Sequence, residues 1–387
     1  MVMGIHSVAL IPFFLICHAV NAISIQLINT SIFDYGSHDF NPWRADGIPL
    51  PQKGPRTDGF WLFAIIDGKL YYKPHGQDER QRRFYFAAYG ILNLIERHEI
   101  PNVIFLYSVH DGGKIRRDFP YPWFTTWKKS MSGGLILWPC WLFWGDILKE
   151  RRSESVRPQL PWSSLFHSMI SQQMQWRVRQ SKAIFRGSYR RGLRESLFRC
   201  GEMYPNLLDV KIAGWDDKST KNIFNGKPIS ALDRCKYKYI LVVDGSTEST
   251  GMLHAVGCGS VVLKVESSSM SFWSRALQAG VHYISIPSTR HSICTRVLNA
   301  ISWSKEQSKN RNMRNGEEIS NKLSLWVKDN LNMTFVYKYM AAQLETYASL
   351  QQFEPTLSRG YKRLTLKSLL ACMHTWEKKH FLKIIYS

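Results

Sequence analysis

The chain has 387 residues, 44% hydrophobic and 13% aromatic, and carries a formal net charge of +21. That composition excludes a disordered chain, and the length exceeds one ordinary core and fits two domains. The basic excess favours anionic partners such as phosphorylated donors, acidic glycans, membranes or nucleic acid, but no recognised nucleic-acid motif is present.

Residues 1–22 read as a secretory signal. Val8 to Cys17 is an apolar run shorter than a bilayer span, and Val20-Asn21-Ala22 resembles a cleavage site, although no Lys or Arg precedes the run. If the segment is retained it acts as a membrane anchor; no other stretch is long and apolar enough to span. Asn29-Thr30-Ser31 and Asn332-Met333-Thr334 are glycosylation sequons, in keeping with a luminal route through the endoplasmic reticulum or Golgi. Once Cys17 is removed, Cys140, Cys200, Cys235, Cys258, Cys294 and Cys372 remain. Their spacing is not that of a zinc site, and an oxidising compartment permits disulfides.

Residues 23–58, rich in Pro, Gly and Asp, read as a surface wrap. Trp61 to Ile66, the pair Asp67-Gly68, and Lys69 to Lys73 predict a hairpin. Arg82 to Glu99 has helical periodicity, with Phe86, Tyr89, Leu92 and Ile95 on one stripe. Asn102 to Ser108 predicts a buried strand that ends at His110-Asp111-Gly112-Gly113. An aromatic stretch follows, Phe119 to Trp144, which reads as core or as a sugar platform. The charged, Pro-containing residues 150–162 mark a domain boundary. Ala183 to Phe185 is a short strand followed by Arg186-Gly187-Ser188. Tyr239 to Val243, the turn pair Asp244-Gly245, a helical stretch opened by Ser246, Thr247 and Glu248, and Val261 to Val265 make a strand–helix–strand unit, flanked by Cys235 and Cys258. Val281 to Ile286 predicts a further strand, and 290–303, 316–330 and 333–351 have helical patterns. The alternation predicts an α/β chain of two doubly wound domains across a cleft. The expected organisation is a signal at 1–22, an acceptor-side domain at 23–165, a donor-side domain at 166–352 and a basic tail at 353–387.

In a parallel sheet, ligands bind at the carboxyl ends of the strands, which here hold small and polar residues. Asp111 fits a general base for a hydroxyl and equally a turn aspartate. Arg186 offers a planar, permanently charged fork for a diphosphate, or is a surface arginine in a turn. Gly187 allows close backbone approach, and Ser188 can cap the following helix. Glu266 fits an acceptor for ribose or sugar hydroxyls, and equally a cap before Ser267-Ser268-Ser269. His282 fits a core histidine. The basic cluster of Arg177, Arg179, Lys182, Arg186, Arg190, Arg191, Arg194 and Arg199 reads mainly as a solvated face.

Six stretches, in order, resemble the CAP10-type glycosyltransferases, the family that includes the protein O-glucosyltransferases. They are IDGKLY at 66–71, PNVIFLYSVHD at 101–111, WPCWLFW at 138–144, FRGS at 185–188 with Arg194 and YPNLLD at 204–209, CKYKY with CGS at 235–260, and VHYISIP at 281–287. The resemblance implies a GT-B architecture of two facing Rossmann-like domains. It also implies inverting transfer of a sugar, glucose or xylose, from a UDP-sugar to a protein or polysaccharide hydroxyl, without an essential metal or cofactor. On this resemblance Asp111 falls at the family's base and Arg186 near the donor phosphates. Gly187, Ser188, Arg194, Gly245, Ser249 and Glu266 complete the donor-binding set, and Cys235 and Cys258 fall on a disulfide pair. One departure stands out: relatives carry an arginine on the donor diphosphate two residues after the position of Ser249, where this chain has Gly251. Arg190, Arg191 and Arg194 are candidate replacements for that charge. The alternative is a catalytically impaired secretory protein of the same fold that binds a glycan or protein partner, and affinity for UDP separates the two.

Overall fold

A computed structural model describes residues 32–51, 60–74, 81–109, 120–129, 134–149, 156–189, 192–213, 226, 229–308 and 313–387. The signal segment, the first sequon, Asp111, Arg190 and Arg191 lie outside the described residues.

β1 (Phe60–Ile66) and β2 (Lys69–Pro74) form the expected hairpin, with Ile66 opposite Lys69. Its turn residues Asp67 and Gly68 have φ of 48° and 65°, the left-handed conformation that matches the twist of flanking strands. α1 (Gln81–Ile95), β3 (Val103–Ser108), β4 (Trp123–Thr125), β5 (Lys128–Lys129), β6 (Leu135–Leu137), β7 (Asp146–Lys149) and β8 (Val156–Gln159) follow. α2 (Trp162–Ser171) leads into the second half: β9 (Gln180–Gly187), α3 (Leu193–Met203), β10 (Leu208–Ile212), α4 (Ala231–Arg234), β11 (Tyr237–Val242), α5 (Gly251–Val256), β12 (Val261–Val265), β13 (Ser269–Met270) and β14 (Ile284–Ile286). The chain closes with α6 (Ile293–Lys305), α7 (Asn315–Asn330), α8 (Met333–Leu350), β15 (Lys362–Arg363), α9 (Leu366–Ala371) and α10 (Thr375–Ile385).

The second sheet is wholly parallel, in the order β10-β9-β11-β12-β14. The strand order reverses between β9 and β11, which is where such sheets open a ligand crevice. One face packs on α3 and α6 through Phe185, Leu241, Leu263, Val297 and Ile301. The opposite face, including Ile184, Ile240 and Val262, joins the main core.

The first sheet departs from the doubly wound expectation. Its order is β15-β2-β1-β3-β4-β6, and β1 runs antiparallel to both β2 and β3; only β3, β4 and β6 are parallel. A two-residue turn can return a strand only antiparallel, so Asp67-Gly68 itself rules out a parallel start. Residues 353–387 likewise make no separate tail. β15 pairs with β2, and Phe381 of α10 packs 4.8 Å from Phe86 of α1. α8 also returns to this half: Tyr347 lies 5.6 Å from Phe124, and Tyr339 Oη donates to the Leu137 carbonyl at 3.0 Å.

The described members of the aromatic stretch are core: Trp123, Trp127, Trp138, Trp141, Phe143 and Trp144 are all buried. Trp141 and Trp144 satisfy their indole N–H groups on Asp146 and Tyr337. Arg179 leaves the solvated face predicted for it. It is buried and donates to the carbonyls of Met174 and Cys258 and to Ser260 Oγ, and burial lowers its pKa to about 10. Disulfides join Cys235 to Cys258 and Cys200 to Cys294. Among the described residues no helix is long and apolar enough to cross a membrane.

Candidate functional site

A cleft of about 270 Å³ opens at the carboxyl ends of β11 and β12. Val243 to Ser246 line it from β11, Val265 and Glu266 from β12, and Ser267 to Ser269 close one side. Lys129 reaches it from the first half, because β13 pairs antiparallel with β5 and sets Ser269 opposite Lys129. The volume is just under the usual range for a small-molecule site, and polar side chains share the lining with Leu193, Val243 and Val265.

The loop after β11 is shaped by its own side chains. Asp244 Oδ1 accepts from the Ser249 amide at 2.8 Å, and Ser249 Oγ accepts from the Gly251 amide at 3.2 Å. Those bonds hold 245–249 out of helical geometry, so α5 starts at Gly251 and not at the expected Ser246. Glu248 turns inward, 3.3 Å from Lys264 Nζ of β12. Burial raises the Glu248 pKa, while Lys264 and the hydroxyls of Ser274 and Ser271 pull it back. Glu266 stays exposed at the cleft and accepts from Ser285 Oγ at 2.9 Å.

Arg186, Gly187 and Ser188 lie at the end of β9, across the switch point from Asp244 and Gly245. Arg194 bridges the two strand ends, donating to the carbonyls of Ser188 at 3.1 Å and Val243 at 2.8 Å. A side chain at Gly187 would meet the Phe185 ring 2.6 Å from its Cβ, so the backbone passes close to that ring only as glycine. Gly245, Glu266 and the Ser249 loop thus gather at the cleft, with Arg194 securing its β9 side.

Arg186 does not line this cleft. Its Nη2 lies 2.9 Å from both carboxylate oxygens of Asp209, and its Nη1 donates to the Asp209 carbonyl at 2.7 Å. Tyr237 Oη donates to the same carboxylate at 2.7 Å. Burial opposes the charge on Asp209, but the bonds from Arg186 and Tyr237 outweigh it and hold the carboxyl below its ordinary range. The charge of Arg186 is felt by Arg234 of α4, and that of Arg234 by His254 of α5. Periodicity and motif order marked Asp244 and Asp209 within quoted stretches without giving them roles. Lys129 and Arg234 had no sequence signal, because distant elements bring them in.

Two histidines are held neutral. Burial, with the Arg234 charge beside it, lowers His254 to about 4, and burial near Lys322 lowers His282 to about 4. His282 is a core histidine whose Nδ1 accepts from the Gln278 amide at 3.0 Å. In the unfolded chain both take up protons near pH 6.5. Folding stability therefore falls as pH drops from about 6.5 toward 4, with a slope of about 1.4 kcal/mol per pH unit for each imidazole. Thermal melts across that window should show the loss, and His254→Gln should reduce its slope by about half, leaving the His282 share. A slope that His254→Gln leaves unchanged would show that this imidazole titrates normally.

The family model described as Glycosyl transferase family 90 matches residues 29–385. Protein O-glucosyltransferase 1 of Homo sapiens is 27% identical over 262 residues, covering 65% of this chain and 59% of that protein. Protein O-glucosyltransferase 3 of Mus musculus is 28% identical over 304 residues, 77% of this chain and 57% of that protein. The chain thus matches less than two thirds of the length of either relative. The O-glucosyltransferase rumi homolog of Anopheles gambiae is 23% identical over 263 residues, 64% of this chain and 62% of that protein.

Proposed function

The chain belongs to glycosyl transferase family 90, and from that premise we propose that it is an inverting glycosyltransferase moving glucose or xylose from a UDP-sugar to a protein or glycan hydroxyl. The observation that carries this reading is the cleft itself. Polar groups at the carboxyl ends of two parallel strands face Lys129 from the other half, beside the reversal in strand order. The two sheets would be the facing halves of a GT-B-like arrangement, with the first presenting the acceptor and the second the donor.

In the reaction, Asp111 takes the proton from the acceptor hydroxyl as its oxygen attacks the anomeric carbon. The bond from that carbon to the diphosphate oxygen breaks, and UDP leaves with the electron pair. Glu266 accepts from donor hydroxyls, and the 245–249 loop, Gly187 and Ser188 provide close backbone approach. Arg186, Arg194 and Lys129 supply positive potential toward the leaving group. No resident metal or cofactor is called for, since side-chain cations fill that role. The compartment is the lumen of the secretory pathway, which the two disulfides favour. Residues 1–22 either leave as a signal or stay as an anchor.

The test is release of UDP from a panel of UDP-sugars by purified protein, with NMR assignment of the product anomer. One donor should be turned over at least tenfold faster than the rest, and an α-linked donor should give a β-linked product. No turnover with any donor, together with no heat of UDP binding at millimolar concentration, would favour the non-catalytic binding protein.

A further inference from the structure

The guanidinium of Arg234 is an anomaly in this fold. Its Nε is buried with no hydrogen-bond partner, and among the described residues no carboxylate pairs with it. The adjacent acid, Asp233, is engaged by Lys236 Nζ at 2.6 Å and by Ser230 Oγ at 2.7 Å. The charge acting on Arg234 is of its own sign: burial lowers its pKa, and the Arg186 charge lowers it further. Arg186 has Asp209 to balance it; among the described residues Arg234 has no such acid. A sheltered cation beside another cation is costly unless an anion completes the site.

Its location indicates which anion. A Cβ built on Gly251 would lie 3.2 Å from Arg234 Nη1 and 3.2 Å from Ser249 Oγ. Arg234 thus fills the space in front of Gly251, and a longer residue at 251 would compete for it. Ser249 Oγ uses a lone pair on the Gly251 amide, which leaves its proton to donate. The same loop walls the cleft through Asp244, Gly245 and Ser246. A planar guanidinium with a hydroxyl alongside, and a second guanidinium close enough for its charge to be felt, suits two linked phosphoryl groups.

We propose that Arg234, with Arg186 and Ser249, forms a diphosphate-binding site, Arg234 entering through the opening at Gly251. Resting on the donor reading above, this site holds the phosphates of the UDP-sugar and stands in for an arginine at position 251.

Calorimetry on the full protein with UDP, uridine and inorganic pyrophosphate tests this. Arg234→Gln should weaken UDP and pyrophosphate at least tenfold and leave uridine unchanged. The ligand-free melting temperature of that variant should equal or exceed that of the wild type, because an unbalanced charge is removed. The rise in melting temperature caused by pyrophosphate should disappear. Gly251→Arg added to Arg234→Gln should recover pyrophosphate binding, which a purely structural role for Arg234 would not allow. Undiminished pyrophosphate binding by Arg234→Gln would overturn the site, as would a wild type that binds neither UDP nor pyrophosphate. A wild type that binds pyrophosphate through Arg234 but not UDP would sink the donor reading and leave the anion site standing.

Discussion

Asp111→Asn is expected to lower sugar transfer by about 10²–10⁴-fold, the usual range for loss of a general base. UDP affinity should stay within about twofold, since Asn matches Asp in size and loses only the proton-accepting charge. The basis lies in the described strand that leads to it. β3 is buried along its whole length and pairs in parallel with β4, with Ser108 opposite Thr125. β4 continues through Thr126 and Trp127, both buried, into β5, whose Lys129 lines the cleft. β3 therefore ends on the same side of the sheet as β4, whose continuation carries Lys129 to the cleft. The readouts are transfer rate, UDP calorimetry and the pH–rate profile, whose acidic limb should vanish with the carboxylate. Normal turnover by Asp111→Asn would remove this residue from the mechanism.

Asp39→Ala should cost about 3–5 kcal/mol of stability, the range for removing one partner of a buried ionic cluster. The Asp39 carboxylate, 3% exposed, pairs with Lys128 Nζ, accepts from Arg275 Nη1 at 2.8 Å and from the Leu137 amide at 3.1 Å. Burial lowers the Lys128 pKa, opposed by the Asp39 charge; without Asp39, the amide loses its acceptor and the two sheltered cations lose their counter-charge, keeping as acceptors among the described residues only the Leu135 carbonyl at 3.3 Å and the Tyr339 hydroxyl at 3.4 Å. Against a typical total of about 5–15 kcal/mol, that loss is large. Urea titration should show it, and Asp39→Asn should fall between. A change below about 1 kcal/mol would mean the cations find water or another acceptor. Transfer should also decline, since Lys128 neighbours Lys129 in the strand pairing that forms the cleft wall.

What could be read from the sequence was local. Asp67-Gly68 gave the hairpin through turn chemistry, and the β-branched runs before Asp244 and before Glu266 gave β11 and β12. The polar strand ends located the cleft, because side chains at carboxyl ends of parallel strands point into a crevice wherever the sheet sits. What escaped depended on partners far along the chain. Lys129 meets Ser269 across 140 residues by a two-residue strand pairing, and Asp39 meets Arg275 over a separation of 236. Charge alone assigned Arg179 to solvent, yet three acceptors converge to bury it. The stretch after Pro355 is basic, but its apolar Leu364, Leu369, Phe381 and Ile384 are buried. Periodicity reveals that a face is apolar and does not say against which sheet.

The return of that final stretch to the first sheet bears on how the polypeptide matures. β9 to α7 are contiguous, so the parallel sheet can assemble as soon as it emerges from the ribosome. The half made before it lacks its edge strand and the packing of Tyr347 and Phe381 until those later residues are made, so it settles after the sheet that follows it in the chain.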